Sequence, residues 1–340
     1  MFGPVRGVLV FALALGTAAT VSGGLMLASG VPVFASYRAI IQGSVGSVPW
    51  LVETLLKATP LLLIGIGMAL AIRAGVWNIG GDGQFLMGCL LAGVVGLALP
   101  ASPPPAALAL VLTAGAAGGA AWALTPGLLR ARIGSNEIII TLMLNYVAAG
   151  VILFLVQGPL KEGYLPQSAP LPEALAMPLV FGSKRIHAGV IGAFFLCLAT
   201  AAAMRWTTAG FALKTTGLDA RAARTCGVRI GLVQATAFVL SGAFAGLAGA
   251  VELTAVYNRI KTGMSPGYGF LGLAIAILAR SNALALIPVA LLFAGLLIGG
   301  DYAERTVGMP KDFIYVFHGV FLLAFAAVDG RWASGRRGRR

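Results

Sequence analysis

Arg205 to Ile230 reads RWTTAGFALKTTGLDARAARTCGVRI, and it lies between two apolar runs, 188–204 and 231–252. It carries Arg205, Lys214, Arg221, Arg224 and Arg229 against a single acid, Asp219. A polar, cationic stretch between two oily ones, each near the length of a bilayer crossing, reads as a structured loop at a membrane face. Nothing in the chain looks able to spend ATP, since no G-x-x-x-x-G-K-[ST] run occurs. A membrane protein with a basic inner loop and no motor of its own points to a subunit driven by a partner.

The rest of the chain fits that setting. Of its 340 residues, 59% are hydrophobic and only 10% charged, with mean hydropathy +0.92. Soluble domains carry about 25% charged residues, so most of this surface must face lipid. The expected fold class is all-α: a polytopic membrane protein forming one transmembrane domain over residues 1–340. Candidate spans are 5–28, 51–73, 80–99, 105–129, 137–157, 188–204, 231–252, 268–280, 283–300 and 312–328, ten in all. The 268–280 segment is short and reads as a half-helix. The run Val5–Ala28 is long for a signal-peptide core and is read as an uncleaved first span.

An even count puts both termini on one side. If that side is the cytoplasm, fifteen Lys and Arg lie inside and nine outside, the sense of the positive-inside rule. The loop 205–230 and the basic tail 331–340 are then cytoplasmic, and the Pro-rich loop 158–187 is external. The net charge of +13 sits in short clusters between apolar runs, which excludes nucleic acid as a partner and fits anionic membrane lipid. Cys89, Cys197 and Cys226 show neither a disulfide framework nor a metal-ligand spacing. Two blocks of four spans, 51–157 and 231–328, suggest pseudo-symmetric halves. The glycines of Gly115–Gly119 and Gly242–Gly249 are read as packing surfaces.

Two polar islands interrupt the apolar sequence. Ala74–Gln84 (AGVWNIGGDGQ) holds Asn78, Asp82 and Gln84 among four glycines. It reads as a frayed helix lining a translocation path, with Asp82 either facing that path or capping a helix that starts near Gly83. Gly134–Tyr146 (GSNEIIITLMLNY) offers Ser135 or Asn136 as an N-cap, Glu137 in the first turn, and Thr141 and Asn145 one turn apart on a shared face. Such a stripe should face other helices or a pore. Glu252 is read as a solvated span end. His318 is read as a hydrogen-bonded packing residue, with a proton relay as the alternative.

NIGGDGQF at 78–85, GSNEIIITLMLNYVA at 134–148 and TGLDARAARTCGV at 216–228 together resemble permease subunits of bacterial ABC importers for nucleosides and simple sugars, the longer nucleoside permeases above all. The resemblance runs from about residue 50 to 330. It implies a type II importer-like arrangement, a second permease that is a different chain, an ABC ATPase carrying ATP and Mg, and an extracytoplasmic substrate-binding protein. The chain itself would hold no cofactor, catalyse nothing and reside in the inner membrane. Gly217, Asp219, Ala220, Arg221, Ala223, Arg224 and Gly227 match the short coupling helix that docks into the ATPase. Asn78, Asp82, Gln84, Asn136, Glu137, Thr141 and Asn145 are the expected substrate-pathway residues. Asp82 stands where the family usually carries glutamate. Purine nucleosides are the expected cargo, with a sugar such as ribose the alternative. An ion-coupled secondary transporter would need a titratable site at the midplane, for which Asp82, Glu137 and His318 are the candidates. A prenyl or phospho-group transferase would need a carboxylate pair or metal cluster, and neither spacing occurs.

Overall fold

The computed structural model describes residues 4–100, 102, 106–180, 182 and 185–334, with side chains only between 7 and 328. The tail 335–340 lies outside them, as do the side chains of Arg6, Lys184 and Arg331. In chain order the helices are α1 (Pro4–Ala28), α2 (Val33–Val45), α3 (Val48–Arg73), α4 (Gly81–Leu97), α5 (Ala107–Ile133), α6 (Glu137–Gln157) and α7 (Ala188–Trp206). There follow α8 (Thr208–Leu218), α9 (Ala220–Thr225), α10 (Ile230–Glu252), α11 (Tyr268–Leu278), α12 (Ala283–Val307) and α13 (Asp312–Ser334). Among the described residues there is no strand ladder, only two isolated bridges.

Every expected span is a helix. Among the described residues, seven helices are long and apolar enough to cross a bilayer, while α4, α11 and the apolar part of α13 are shorter. The sequence reading missed α2, whose Ser36, Arg38 and Gln42 made it look like a connection. Within 205–230, read as a structured loop with a short helix near Asp219–Arg224, it missed α8, while α9 stands where the short helix was expected.

The chain divides into two compact units, 1–57 with 291–340, and 58–290. In the first, Phe11 of α1 meets Phe321 of α13 edge-on at 5.1 Å, and Tyr302 of α12 meets Trp50 at 5.1 Å. His318 stacks on Phe293 at 4.4 Å. Neither of its ring nitrogens has a hydrogen-bond partner, which corrects the hydrogen-bonded reading: the ring is held by packing.

The second unit is built on α3, α4, α5 and α10. Leu61–Ile64, Ile66 and Met68 of α3 are almost wholly inaccessible, as expected of a helix apolar on every side. The glycine runs let backbones touch: a Cβ on Gly88 would strike Gly246, and one on Gly119 would strike the Gly242 carbonyl. Side chains cannot fill such an interface, so dispersion between bare backbones holds it. Outward-facing Ile139, Met143, Tyr146 and Phe154 of α6 and Phe195 of α7 are exposed, an apolar surface too broad for water.

Residues 158–180 fold over one end of this unit. Ser168 N donates to the Ile260 carbonyl at 2.8 Å, Leu171 N to that of Asn258 at 2.9 Å and Met177 N to that of Thr254 at 3.2 Å. Leu171 packs on Gly96, near the C-terminus of α4. The connection is therefore a fixed cover.

Candidate functional site: a clamped helix break

Between α3 and α4 the chain leaves the helix from Ala74 to Gly80. Gly75 turns it at φ +75°, a left-handed conformation open to glycine. An unwound segment at membrane depth exposes amide groups that lipid cannot satisfy. Each left unpaired in the interior costs about 1–3 kcal/mol.

One face of α6 satisfies them. Glu137 Oε1 accepts from Trp77 N at 3.5 Å, and Thr141 Oγ1 accepts from Ile79 N at 3.2 Å. Asn145 serves two groups: its Oδ1 accepts from Gly83 N at 2.8 Å, and its Nδ2 donates to the Ile79 carbonyl at 2.9 Å. The spacing explains why three residues suffice. Residues four apart stand on one face of a helix, so Glu137 meets Trp77, Thr141 meets Ile79, and Asn145 reaches both Ile79 and Gly83 at the start of α4. Arg130, 3.4 Å from Glu137 Oε2, steadies the first rung. Asn136 takes no part in the clamp: its Oδ1 N-caps α6, accepting from Ile138 N at 3.1 Å and Ile139 N at 3.4 Å.

The inner side of the break is closed by amides. Asn78 and Gln84 exchange two hydrogen bonds, 2.9 and 3.0 Å, and Asn78 Nδ2 also donates to Ser241 Oγ of α10 at 2.9 Å. Asn78 Oδ1 further accepts from Gly80 N at 2.9 Å. Both amides are buried. Ser241, 163 residues from Asn78, became visible as a partner only in the fold.

Asp82 does something the sequence did not reveal. It was a candidate cap for the helix beginning near Gly83, but that helix begins at Gly81 and has no side-chain cap. The Asp82 carboxylate instead accepts from Gly269 N at 2.9 Å and from the Ser265 hydroxyl. Ser265 Oγ in turn accepts from Tyr268 N at 3.1 Å. Asp82 thus caps α11 from the first turn of α4, so one carboxylate faces two helix N-termini. Each N-terminus offers it backbone N–H groups that the helix itself leaves unpaired. Gly81 and Gly269 let the two helix starts almost touch, a Cβ at Gly81 coming 2.9 Å from Gly269 Cα.

One turn further along, Tyr268 donates to Glu252 Oε1 at 3.0 Å and packs edge-on against Phe85 at 5.5 Å. Glu252 is buried, not the solvated span end expected, and a π-helical turn, Leu253–Tyr257, follows it. No local signal in the sequence marked it, because its cover comes from a different helix.

The opposite end of the break touches the basic segment. A Cβ on Gly217 would strike the Arg73 carbonyl and come 3.0 Å from Gly75 N. The end of α8 therefore rests on the start of the unwound stretch. Beyond it Asp219 N-caps α9, accepting from Arg221 N at 2.8 Å and Ala222 N at 3.2 Å. Ala220, Arg221 and Arg224 are exposed, Ala223 is buried, and Gly227 ends the motif at φ +79°.

Comparison with known proteins agrees with this architecture. The family model described as branched-chain amino acid transport system / permease component matches residues 50–326. The chain is similar to a glucose ABC transporter permease protein of Haloferax volcanii, 35% identical over 90% of this chain and 83% of that one. It is also similar to a guanosine ABC transporter permease protein of Bacillus subtilis, 33% identical over 89% and 88% respectively, and to a nucleoside ABC transporter permease protein of Lactococcus lactis, 28% identical over 86% and 83%. No solved structure matches the chain. A multi-pass helical chain with a clamped break, matched over most of its length by such proteins, is a transport component and no enzyme: it belongs to the branched-chain amino acid transport system / permease component family of ABC transporter permease subunits.

Proposed function

We propose that this chain is one half of the translocation pathway of an ABC importer for nucleosides, purine nucleosides in particular. Residues 1–340 act as one permease domain in the inner membrane, with ten crossings and both termini in the cytoplasm. A separate ATPase binds ATP and Mg, a different permease chain supplies the other half, and an extracytoplasmic protein delivers the cargo.

The observation that carries this reading is the contact of Gly217 with Arg73 and Gly75. It joins α8, and through Asp219 the exposed α9, to the unwound stretch that begins α4. ATPase closure displaces α9, with Arg221 and Arg224 as charged handles and the Ala220 and Ala223 positions permitting close approach. The displacement reaches residues 74–80 through Gly217. A helix would transmit it stiffly along its axis, whereas an unwound strap can pivot. The start of α4 then shifts against the start of α11, and the Asp82 bridge between them opens toward the path.

Asn78, Gln84, Thr141 and Asn145 already spend their hydrogen bonds within the chain. The path therefore holds cargo weakly, and discrimination rests with the binding protein. The glucose relative supports the sugar reading as the alternative cargo.

The test is ATPase stimulation and uptake by the reconstituted complex, with the binding protein offered guanosine, adenosine, ribose or glucose. Stimulation by the purine nucleosides alone is expected, and stimulation by the sugars alone overturns the cargo assignment. Deleting Thr216–Val228 should abolish uptake and ATPase association while the chain still inserts. Uptake surviving that deletion overturns the mechanism.

A further inference from the structure

A cavity of about 520 Å³ opens beside α8, lined by Arg73, Arg205 and Lys214 with Trp206, Ser281 and Asn282, and walled by apolar residues of α7 and α12. No carboxylate lines it. Arg73 Nε donates to the Ser281 carbonyl at 2.8 Å. That carbonyl belongs to a turn in which Arg280 and Ser281 both take positive φ, 49° and 53°. Left-handed backbone at two successive non-glycine residues is costly; here it presents a carbonyl that aims the guanidinium. Among the described residues, Arg205 and Lys214 make no ion pair.

The apolar side of the cavity is as informative as the charges. Leu198, Ala201, Ala202 and Arg205 lie at i, i+3, i+4 and i+7 and share one face of α7. Leu198 on α7 and Leu284 on α12 are each 53% exposed, and Trp206 is 77% exposed. A cationic floor at the ends of two apolar spans, with an exposed aliphatic wall running into the bilayer region and an indole at the rim, is the layout of an interfacial site. A free anion would use the floor and leave the wall bare. An acidic protein surface would have no use for a wall that faces lipid.

We propose that this cavity binds an anionic phospholipid, its phosphate held by Arg73, Arg205 and Lys214 and its acyl chain lying along Leu198 and Leu284. The site is distinct from the cargo path and from α9, and it needs only the membrane setting, not the proposed cargo. The bound lipid bridges α3, α7, α8 and the turn before α12. It thereby braces α8, whose end rests on the helix break, against the spans behind it.

The experiment is retention of phosphatidylglycerol against phosphatidylcholine by the purified full-length chain, read by native mass spectrometry. The wild type should prefer phosphatidylglycerol, and the variant carrying Arg205→Gln with Lys214→Gln should lose about thirtyfold of that preference, the ratio expected for two cations at an anionic headgroup. Arg229→Gln, which removes an exposed cation outside the cavity, should retain it. Equal retention in wild type and double variant overturns the proposal, as does equal loss in Arg229→Gln. If inorganic phosphate binds the wild type and no lipid preference exists, the site takes small anions and the proposal fails. It fails equally if the double variant keeps its lipid but no longer binds the ATPase. Should the double variant not elute as a single species, Lys214→Gln alone, on an exposed side chain, replaces it, with about fivefold loss expected.

Discussion

Asn145 accepts from one backbone group and donates to another within the same break, so its amide cannot be replaced by either half of its chemistry. Asn145→Ala strands Gly83 N and the Ile79 carbonyl, a loss on the order of 2–4 kcal/mol. Thermal unfolding of the detergent-solubilised chain should show it as a lowered midpoint. Asn145→Asp, which still accepts but no longer donates, should fall between the two. Asp82→Asn keeps the acceptor for Gly269 N and discards the charge. Insertion and thermal stability should change little, while uptake drops on the order of tenfold. Unchanged uptake would leave Asp82 a cap and nothing more.

His187, at the N-terminus of α7, is buried, and its Nδ1 has no partner. Burial pushes its pKa below the usual histidine value, so the folded chain favours the neutral ring. An unfolded histidine titrates near about 6.5. The stabilisation is therefore complete above that pH and is lost as pH falls toward the lower folded value. Melting midpoints should decline from pH 7 to pH 5, and His187→Gln should flatten that slope.

At the scale of the element, the break is a negotiation between three helices. Gly217→Val places branched carbons against the Arg73 carbonyl and Gly75. The chain should still insert and bind its ATPase, but hydrolysis should no longer drive uptake; normal coupling would show that α8 does not act through this contact. Much of this was legible locally. The pair Thr141 and Asn145 announced a face turned to other helices or a pore, and Ser135 or Asn136 with Glu137 announced the start of α6, although Glu137's place on that face was not foreseen. What that face gripped was not legible, because the partner is an unwound stretch about sixty residues away. The reading of Asp82 as a cap for its own helix failed for the same reason: its donors Ser265 and Gly269 lie more than 180 residues on. The helices α2 and α8 escaped because their polar residues masked any apolar period, whereas α9 was expected only from the resemblance.

At the scale of the whole molecule, the apolar helices were legible from hydropathy, because a bilayer imposes length and composition on whatever crosses it; among the described residues seven of the ten expected spans are long and apolar enough to cross. Their sidedness rests on charge bias and is open to a simple labelling experiment. Cys226, after α9, is exposed, while Cys89 and Cys197 are buried. A membrane-impermeant maleimide should modify Cys226 in inside-out vesicles and leave it untouched in intact spheroplasts. Modification from outside would invert the proposed orientation.

The saturation of the inner amides reaches beyond energetics. Asn78 and Gln84 already satisfy each other, so on the proposed path a solute would meet few free groups by which to be recognised. A conduit of the proposed kind would be indifferent to what it carries and could be retooled for a new nutrient by exchanging the receptor that feeds it. Proteins described as handling glucose and guanosine can then share a third of their residues with this chain, their divergence in diet having needed little change in the channel wall.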